Sequence, residues 1–300
     1  MQTIVSADPR PIFVHNYIDS ATLQNAFEYV TKSVNLEKLT EEMGKMFSCS
    51  CVGRCRVNTD CVCAIKHGGI PKFSYDSKGK LMVRYNHHGQ GIIYECNDEC
   101  SCDRQKCPNR VIQHGSSIPL QLFRTVDNRG WGVRSLQWIP RGAFVAEYTG
   151  EIMDEGIVDL ARSRYDQIYG NTFLFDLDAL ESDDSQEPNE LEVPKRKFTL
   201  DARFYGSIAR WFNHCCDPNL ISVSFVVNEP VQLQRIAFFS KRDICAGDEL
   251  TFDYEDGQGL KGEELYKLAK SGKRALMEDS HLLKDCRCGA LKCRGKVSIG

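Results

Sequence analysis

The cysteines are the residues whose number and spacing most directly indicate chemistry in this chain. There are 15 of them among 300 residues: nine lie in residues 49–107, three in residues 286–293, and the others are Cys215, Cys216 and Cys245. No early segment combines a basic start with an apolar run of signal-peptide length, so we expect a chain that is not secreted and keeps its thiols reduced. Clustered thiols in such a chain are typical of metal sites.

The first nine cysteines divide into two groups, each with a Cys-x-Cys pair. One group is Cys49, Cys51, Cys55, Cys61 and Cys63, and the other is Cys96, Cys100, Cys102 and Cys107. Zinc prefers four tetrahedral thiolate or imidazole ligands. Nine thiolates satisfy three zinc ions if three of them bridge two ions each. The spacing also allows two separate four-thiolate sites with one cysteine left over, or an additional ligand from His67, His87 or His88. The expected role is structural, since no open coordination position is evident.

Composition and charge narrow the classes of partner. The chain has 38 basic and 41 acidic side chains, a formal net charge of −3, 42% hydrophobic residues and 26% charged residues. This balance is typical of a globular chain of about two domains, and it provides no overall basic surface. We therefore expect no strong sequence-specific DNA binding. No run approaches the roughly 20 apolar residues of a membrane span, so we expect no membrane contact.

The elements that must position the reactive residues are mostly short strands. From about residue 118, β-branched and aromatic residues alternate with Gly, Asp and Asn breaks in the runs LQLFRT, WGVRSL, FVAEYTGEI, FLFDLD, ISVSFVV, LQRIAFF and ELTFDY. This pattern predicts several short, curved sheets. We also expect an extended N-terminal segment (PRPIFVHNYI), a helix around residues 20–46 and a helix near residues 153–168. The acidic run at 181–192 predicts a solvated loop.

Four short strings carry the residues that suit a reaction site. They are RGWG at 129–132, EYTGE at 147–151, RWFNHCCDPN at 210–219 and ELTFDY at 249–254, and CRCGALKCRG follows at 286–295. Each string is weak alone, but their order after a nine-cysteine segment is specific. With YEC…CPNRVIQHG and LFRT, they make the sequence resemble the SET-domain protein lysine methyltransferases that have pre-SET and post-SET zinc modules. The resemblance is to the suppressor-of-variegation type, which methylates lysine-nine of histone H3.

The resemblance covers about residues 45–295 and implies a mainly β architecture. This SET fold has several short curved sheets and a knot-like C-terminal segment, in which residues 204–219 are threaded by the chain near 247–254. The implied domains are an N-terminal extended and helical segment (1–45), a pre-SET zinc cluster (46–117), a SET domain with an acidic insertion near 179–197 (118–256), a lysine-rich connector (257–284) and a post-SET zinc module (285–300).

Methyl transfer from S-adenosylmethionine to lysine requires a neutral amine in line with the sulfonium methyl group. Because a free lysine has a pKa of about 10.4, neutralising it at about pH 7.4 costs about 4 kcal/mol. Burial in an aromatic channel beside a positive sulfonium lowers that pKa. The resemblance places Tyr254 at the end of this channel, where its hydroxyl orients the amine, and Tyr148 along the wall. Phe252 implies room for repeated methylation, so di- and trimethyl-lysine are the expected products.

The resemblance also implies the cofactor contacts. S-adenosylmethionine is expected against the backbone around Arg129, Gly130 and Trp131, and against Asn213, His214 and Arg210. A glycine such as Gly130 permits close backbone approach. Two departures predict weaker cofactor binding. Phe173 stands at a cofactor-contacting position where relatives commonly have Tyr, and Lys296 and Ser298 stand where relatives often have aromatic residues.

A second zinc site and the substrate complete what the resemblance implies. For the first nine cysteines the resemblance implies the arrangement with three zinc ions. The post-SET zinc is expected on Cys216, Cys286, Cys288 and Cys293, which leaves Cys215 and Cys245 as free thiols. The histone H3 N-terminal tail is expected to lie extended against a sheet edge, with Asp178 reading the basic residue before the target lysine. These features imply a nuclear enzyme that acts on nucleosomes or chromatin in heterochromatin formation and gene silencing.

Two alternatives remain open from the sequence. One is a zinc-organised chromatin-binding scaffold without catalytic activity, against which Tyr254, Asn213 and His214 argue. The other is the same class of enzyme acting on a different lysine, which no residue excludes.

Overall fold

Short strands dominate the part of the chain that the structure describes. The structure, a computed structural model, describes residues 2–4, 8, 10, 12–23, 27–43, 48–56, 61–65, 73–82, 92–154, 158, 173–177, 197–230, 233–254 and 283–298. The strands are β1 (Gln2–Ile4), β2 (Ile12–His15), β3 (Glu28–Tyr29), β4 (Ile93–Tyr94), β5 (Leu120–Arg124), β6 (Trp131–Ser135), β7 (Phe144–Tyr148), β8 (Glu151–Asp154), β9 (Leu174–Leu177), β10 (Phe198–Asp201), β11 (Tyr205–Gly206), β12 (Asn213–His214), β13 (Leu220–Val226), β14 (Arg235–Ser240), β15 (Thr251–Phe252), β16 (Leu283–Asp285) and β17 (Lys296–Ser298). The helices are α1 (Leu36–Met43), α2 (Val62–Ile65) and a 3-10 helix (Ile208–Trp211).

Within these described residues the strands form six small sheets. Two sheets have four strands, in the orders β1-β2-β5-β6 and β4-β13-β14-β7, and one has three, in the order β8-β10-β9. The remaining pairs are β11-β3, β12-β15 and β16-β17. The prediction of several short sheets is confirmed.

The extended N-terminal segment is built into the sheet that carries the RGWG string. Strand β2 pairs in parallel with β5, and β5 pairs antiparallel with β6. The side chains of Ile12, Leu120, Leu122 and Val133 are fully buried beneath this sheet. Their burial stabilises β6 and so fixes the position of Trp131 at its start.

The second four-stranded sheet connects the cysteine-rich segment to the rest of the fold. Strands β13 and β14 form an antiparallel pair, and β4, from the cysteine-rich segment, pairs in parallel with β13. On the other side β14 pairs with β7, with a register shift between Phe238 and Phe239. Both phenylalanines are fully buried. The shift changes the local direction of the strand, as a β-bulge does.

The predicted helix at 20–46 is wrong over much of its length. Residues 28–29 form β3, which pairs in parallel with β11, and α1 begins only at Leu36. Asn35 has φ of +68°, a left-handed conformation that an α-helix cannot contain, so the helix cannot extend further toward the N-terminus. The predicted helix near 153–168 is wrong at its start, because residues 151–154 form β8, and most of its remainder lies outside the described residues.

Some predicted features fall outside the described residues. They are His67, His87 and His88, the acidic run at 181–192, Asp178 and nearly all of the connector at 257–284. Among the described helices, none has the length and apolar character needed to cross a bilayer.

Candidate active site and cysteine clusters

The pairing of β12 with β15 brings together two strings that lie far apart in the sequence. Asn213 lies opposite Thr251 and His214 opposite Phe252 in a parallel register. The backbone N–H of Tyr254 then donates to Nδ1 of His214 at 3.2 Å. The NHCC and TFDY segments therefore form one unit, as the resemblance implies.

Aromatic rings line one side of this unit. The Phe252 ring centroid lies 4.7 Å from that of Phe238 and 4.8 Å from that of Tyr254. The Tyr148 centroid lies 5.5 Å from that of Phe175, whose ring stacks at 6.4 Å on Phe252. These five side chains form a continuous aromatic wall. Such a wall is weakly solvated and presents negative ring faces that attract cations.

The two tyrosine hydroxyls at this wall are held by backbone carbonyls. Tyr254 Oη donates to the carbonyl oxygen of Phe212 at 2.9 Å, and Tyr148 Oη donates to that of Phe173 at 3.0 Å. Burial raises the pKa of both phenols above the ordinary value. Both hydroxyls are therefore neutral at physiological pH, and each retains lone pairs that can accept a hydrogen bond.

A polar network joins the RGWG string to Asn213 through the carboxylate of Glu249. Arg129 donates through both terminal nitrogens to Glu249, at 2.7 and 3.2 Å, and its Nε donates to Asp127 at 2.8 Å. The Asn213 amide nitrogen donates to Glu249 Oε1 at 2.8 Å and to the carbonyl oxygen of Trp131 at 3.1 Å. The Arg129 guanidinium is thus engaged within the protein, and its backbone N–H donates to Asp127 at 3.2 Å.

Two glycines of RGWG allow its backbone to lie close to Glu249 and Asn213. Gly130 has φ of +88°, in the region that favours glycine. A Cβ atom at Gly132 would lie only 2.7 Å from Glu249 Oε1 and 3.0 Å from Asn213 Nδ2. A side chain at residue 132 would therefore displace the carboxylate that joins the two strings.

Arg210 lies beside Phe173 rather than in the Glu249 network. Its guanidinium carbon lies 4.3 Å from the ring centroids of both Phe27 and Phe173 and 4.8 Å from the Trp211 ring. Nη2 donates to the carbonyl oxygen of Arg203 at 3.2 Å. Burial lowers the Arg210 pKa to about 10, so the side chain is still a cation at physiological pH. Phe173 itself has φ of +50°, an unusual conformation for a residue with a large side chain.

His214 lies between the tyrosine and a cysteine. Its Nδ1 accepts from Tyr254, and its Nε2 lies 3.3 Å from Sγ of Cys216. Burial lowers the pKa of the imidazole to about 4, although the carboxylate of Asp253 opposes this effect. The ring is therefore engaged inside the protein on both nitrogens.

The amino-terminal cysteines converge on a compact cluster of sulfur atoms. Three groups of four sulfur atoms lie within 4.8 Å of one another: Cys49, Cys51, Cys55 and Cys61; Cys49, Cys63, Cys96 and Cys100; and Cys49, Cys55, Cys96 and Cys102. The sulfur of Cys107 lies 3.6 Å from that of Cys96. All nine cysteines predicted in this region are therefore brought together.

The spacing of these sulfur atoms suits tetrahedral zinc. A Zn–S bond of about 2.3 Å places two ligands of one ion about 3.8 Å apart. The sulfur–sulfur distances from Cys55 to Cys49 and to Cys96 are both 3.7 Å, well beyond the roughly 2.05 Å of a disulfide. The buried guanidinium of Arg110 lies 3.8 Å from the sulfur of Cys102 and supplies positive charge beside the thiols.

A second group of four sulfur atoms lies beside His214. It consists of Cys216, Cys286, Cys288 and Cys293, all within 4.8 Å of one another. Backbone N–H groups of Arg294 and Gly295 donate to the sulfurs of Cys216 and Cys293 at 3.3 and 3.4 Å. Such donors stabilise thiolates, so this set also suits zinc. Cys215 and Cys245 belong to none of the metal-ligand groups found among the described residues.

Three polar residues of this site are not predicted from the sequence. Glu249, Asp253 and Arg294 lie inside the quoted strings ELTFDY and CRCGALKCRG, yet no local pattern distinguishes them from surface charges. Their partners come from other elements, and only the folded chain shows them. Asp178 lies outside the described residues, so its predicted contact stays a prediction.

Comparison with known proteins defines the class of this fold and site. Residues 130–255 match the SET domain and residues 5–110 match the Pre-SET motif. The structure is similar to that of the Neurospora SET domain protein DIM-5, a histone lysine methyltransferase, with a TM-score of 0.67 and 30% identity over 81% of this chain and 94% of that one. It is also similar to KRYPTONITE in a complex with DNA, an H3(1-15) peptide and SAH, with a TM-score of 0.69 and 26% identity over 98% of this chain and 52% of that one.

Curated relatives agree with the structural class. The Schizosaccharomyces pombe protein named histone-lysine N-methyltransferase, H3 lysine-9 specific, is 37% identical over 251 residues, which cover 83% of this chain and 46% of that protein. This chain belongs to the SET-domain histone-lysine methyltransferase family of the suppressor-of-variegation type, with a pre-SET motif. It spans 19% of the length of a mouse relative and 63% of the length of a chicken relative.

Proposed function

We propose that this chain is an S-adenosylmethionine-dependent protein-lysine N-methyltransferase that acts on lysine-nine of histone H3. The observation that carries the proposal is the position of Tyr254, where the aromatic wall meets the unit formed by Asn213 and His214. A fission yeast relative is named for the H3 lysine-9 reaction, and a structural neighbour was solved with an H3 peptide and SAH.

The cofactor fits the polar side of this site. S-adenosylmethionine supplies a methyl group on a positively charged sulfur. We assign its binding to the backbone at Arg129, Gly130 and Trp131 and to Asn213 and His214, with Phe173 and Arg210 at the neighbouring wall. The fit rests on chemistry: both N–H donors of the Asn213 amide are engaged, so its carbonyl oxygen remains to accept from a charged amine.

The substrate lysine fits the aromatic side. The wall of Tyr148, Phe175, Phe252 and Tyr254 excludes water from the amine, which favours its neutral form. The fixed, neutral hydroxyl of Tyr254 positions the nitrogen for in-line attack. Phe252 leaves the channel without a hydroxyl at its narrow end, so we assign di- and trimethyl-lysine as products.

The histone tail has a sheet edge available for binding. Strand β9 lies at the edge of the β8-β10-β9 sheet, and its Phe175 belongs to the aromatic wall. An extended peptide that pairs with this edge would direct one side chain into the channel. Asp178 follows β9 directly in the sequence, which supports its assignment to the basic residue before the target lysine.

We assign four zinc ions to the thirteen clustered cysteines. Cys49, Cys55 and Cys96 recur in the sulfur groups and serve as the bridging ligands of a three-zinc cluster. Cys51 with Cys61, Cys63 with Cys100, and Cys102 with Cys107 complete the three tetrahedra. Cys216, Cys286, Cys288 and Cys293 hold the fourth ion. All four ions are structural, because each has four protein ligands.

The domain organisation and cellular role follow from the same assignments. The proposed units are 1–45, a pre-SET cluster at 46–117, a SET domain at 118–256, a connector at 257–284 and a post-SET module at 285–300. We propose a nuclear, chromatin-bound enzyme in heterochromatin formation, acting on nucleosomal H3 tails without membrane contact or strong sequence-specific DNA binding.

Methyl transfer to single-lysine-substituted H3 tail peptides tests the proposal. The wild-type chain should label every peptide except the one that lacks lysine-nine. Tyr254→Phe should lose most activity while it retains binding of S-adenosylhomocysteine, and Tyr17→Phe, on an exposed tyrosine, should match wild type. If folded, zinc-replete protein labels no H3 peptide, the proposal is wrong and the non-catalytic chromatin scaffold is the remaining function. If it labels H3 at another position, the target lysine is a different one.

A further inference from the structure

The carboxy-terminal tail makes a direct ion pair with the segment that carries Tyr254. Arg294 Nη1 and Nη2 donate to the two carboxylate oxygens of Asp253, each at 2.6 Å. Asp253 immediately precedes Tyr254 in the sequence. The side chains of Arg294 and Asp253 are only 25% and 15% exposed. A bidentate, partly buried pair is both directional and weakly screened, unlike an exposed ion pair.

The backbone of Arg294 contacts the second cysteine group, which consists of Cys216, Cys286, Cys288 and Cys293. Its N–H donates to Sγ of Cys216 at 3.3 Å, and Arg294 directly follows Cys293. One residue therefore connects the cysteine group, through its main chain, to the Tyr254 segment, through its side chain.

His214 forms a second connection between the same two places. Its Nδ1 accepts from the Tyr254 N–H, so in the neutral ring the proton is on Nε2, which faces Cys216 Sγ at 3.3 Å. Asp253 Oδ1 also lies 3.5 Å from Nδ1. Tyr254 is thus fixed from its own backbone and from its preceding residue, and both contacts lead to Cys216.

We propose that the Asp253–Arg294 pair is a positioning device. It fixes the position of Tyr254 when the post-SET cysteine site, formed by Cys216, Cys286, Cys288 and Cys293, is ordered. The proposal rests on the proposed function for its catalytic consequence. Neither residue touches the reacting atoms; each acts by fixing where the Tyr254 hydroxyl lies relative to the aromatic wall.

The test compares three variants, Arg294→Gln, Asp253→Asn and the double variant, with a control substitution at an arginine elsewhere in the chain. Arg242 pairs with Asp217 at 3.2 Å, but the two side chains are 51% and 67% exposed, so Arg242→Gln is the control. Arg294→Gln should lower kcat at least about ten-fold with four zinc ions retained and little change in the KM for S-adenosylmethionine. Arg294→Lys should restore part of kcat, and the double variant should be no worse than the poorer single variant.

Hydrogen exchange of the Tyr254 amide provides a readout that does not depend on activity. Exchange should be faster in Arg294→Gln than in wild type and unchanged in Arg242→Gln. Three results would overturn the proposal. They are a kcat and an amide exchange rate that do not change in Arg294→Gln, a loss of kcat that occurs only when zinc is released, and a double variant in which the two single losses of kcat multiply. A wild-type chain without methyl transfer would refute the proposed function, and the exchange comparison would still decide whether the pair fixes Tyr254.

Discussion

At the scale of single residues, one carboxylate organises the polar half of the site. Glu249 accepts from the Arg129 guanidinium and from the Asn213 amide, and the Asn213 amide also donates to the Trp131 carbonyl. These contacts fix which way the Asn213 amide points. They also hold the RGWG string against β12, although Glu249 itself need not touch a ligand.

Glu249→Gln tests this role. The neutral amide loses the charge that attracts Arg129, and its NH2 group replaces one of the two oxygens that accept from Arg129 and Asn213. The single remaining oxygen cannot hold both partners as the carboxylate does, so the orientation of the Asn213 amide is fixed less firmly. Hydrogen bonds to charged groups contribute about 1.5–3 kcal/mol, so we expect about a ten-fold loss of S-adenosylhomocysteine affinity or more. Calorimetric titration measures it, with the exposed Glu37→Gln as control. Equal affinity in both variants would contradict the role of Glu249.

The aromatic wall gives a second prediction at this scale. A tyrosine at residue 252 would place a hydroxyl among rings whose centroids lie 4.7 Å (Phe238) and 6.4 Å (Phe175) from that of Phe252. The added oxygen, with any water it holds, takes the space of an additional methyl group. Phe252→Tyr should therefore shift the products from di- and trimethyl-lysine toward monomethyl-lysine. Mass spectrometry of the H3 peptide decides, and persistent trimethyl-lysine would contradict the product assignment.

At the scale of elements, the sequence pattern predicts which residues form strands better than it predicts how strands pair. Runs such as LQLFRT and ISVSFVV correspond to β5 and β13 because most of their apolar side chains are buried in the sheets. The parallel pairs β3–β11 and β12–β15 join segments with no local signal for each other. The helix prediction failed at Asn35 because a left-handed residue depends on contacts made elsewhere in the fold.

Gly150 shows how closely two of these elements approach. It lies between β7 and β8, and a Cβ atom there would lie 2.5 Å from the carbonyl oxygen of Asp201 in β10. The Asp201 oxygen belongs to the backbone, and the position of the added Cβ is set by the backbone of residue 150, so neither atom can move freely. Gly150→Ala should destabilise the fold by about 1–3 kcal/mol, measured by thermal or denaturant unfolding. Gly206→Ala, whose nearest contact would be at 3.3 Å, should cost clearly less, and equal costs would contradict the argument.

At the scale of the whole molecule, the two cysteine clusters support different parts of the fold. The first is buried and continues through β4 into the β13–β14 sheet. The second fastens the chain end to the Tyr254 segment. Counts and spacing predicted the members of the first cluster, and the family resemblance implied those of the second. Counts and spacing left open whether sulfur atoms bridge, because that depends on distances between residues up to about fifty positions apart, such as Cys55 and Cys96 at 3.7 Å.

The two clusters differ in solvent exposure, which predicts that they lose metal one after the other. Eight of the nine amino-terminal cysteines are buried, whereas Cys293 is exposed and its three partners are half-buried. A chelator reaches the second site first, because its attack requires access to the ion or its ligands. Brief chelation should remove about one of the four proposed zinc ions and abolish methyl transfer, while circular dichroism shows retained structure. Harsher chelation should remove the rest and unfold the amino-terminal module. Zinc added after the first stage should restore activity, and simultaneous loss of all ions, or full activity after the first loss, would contradict this order.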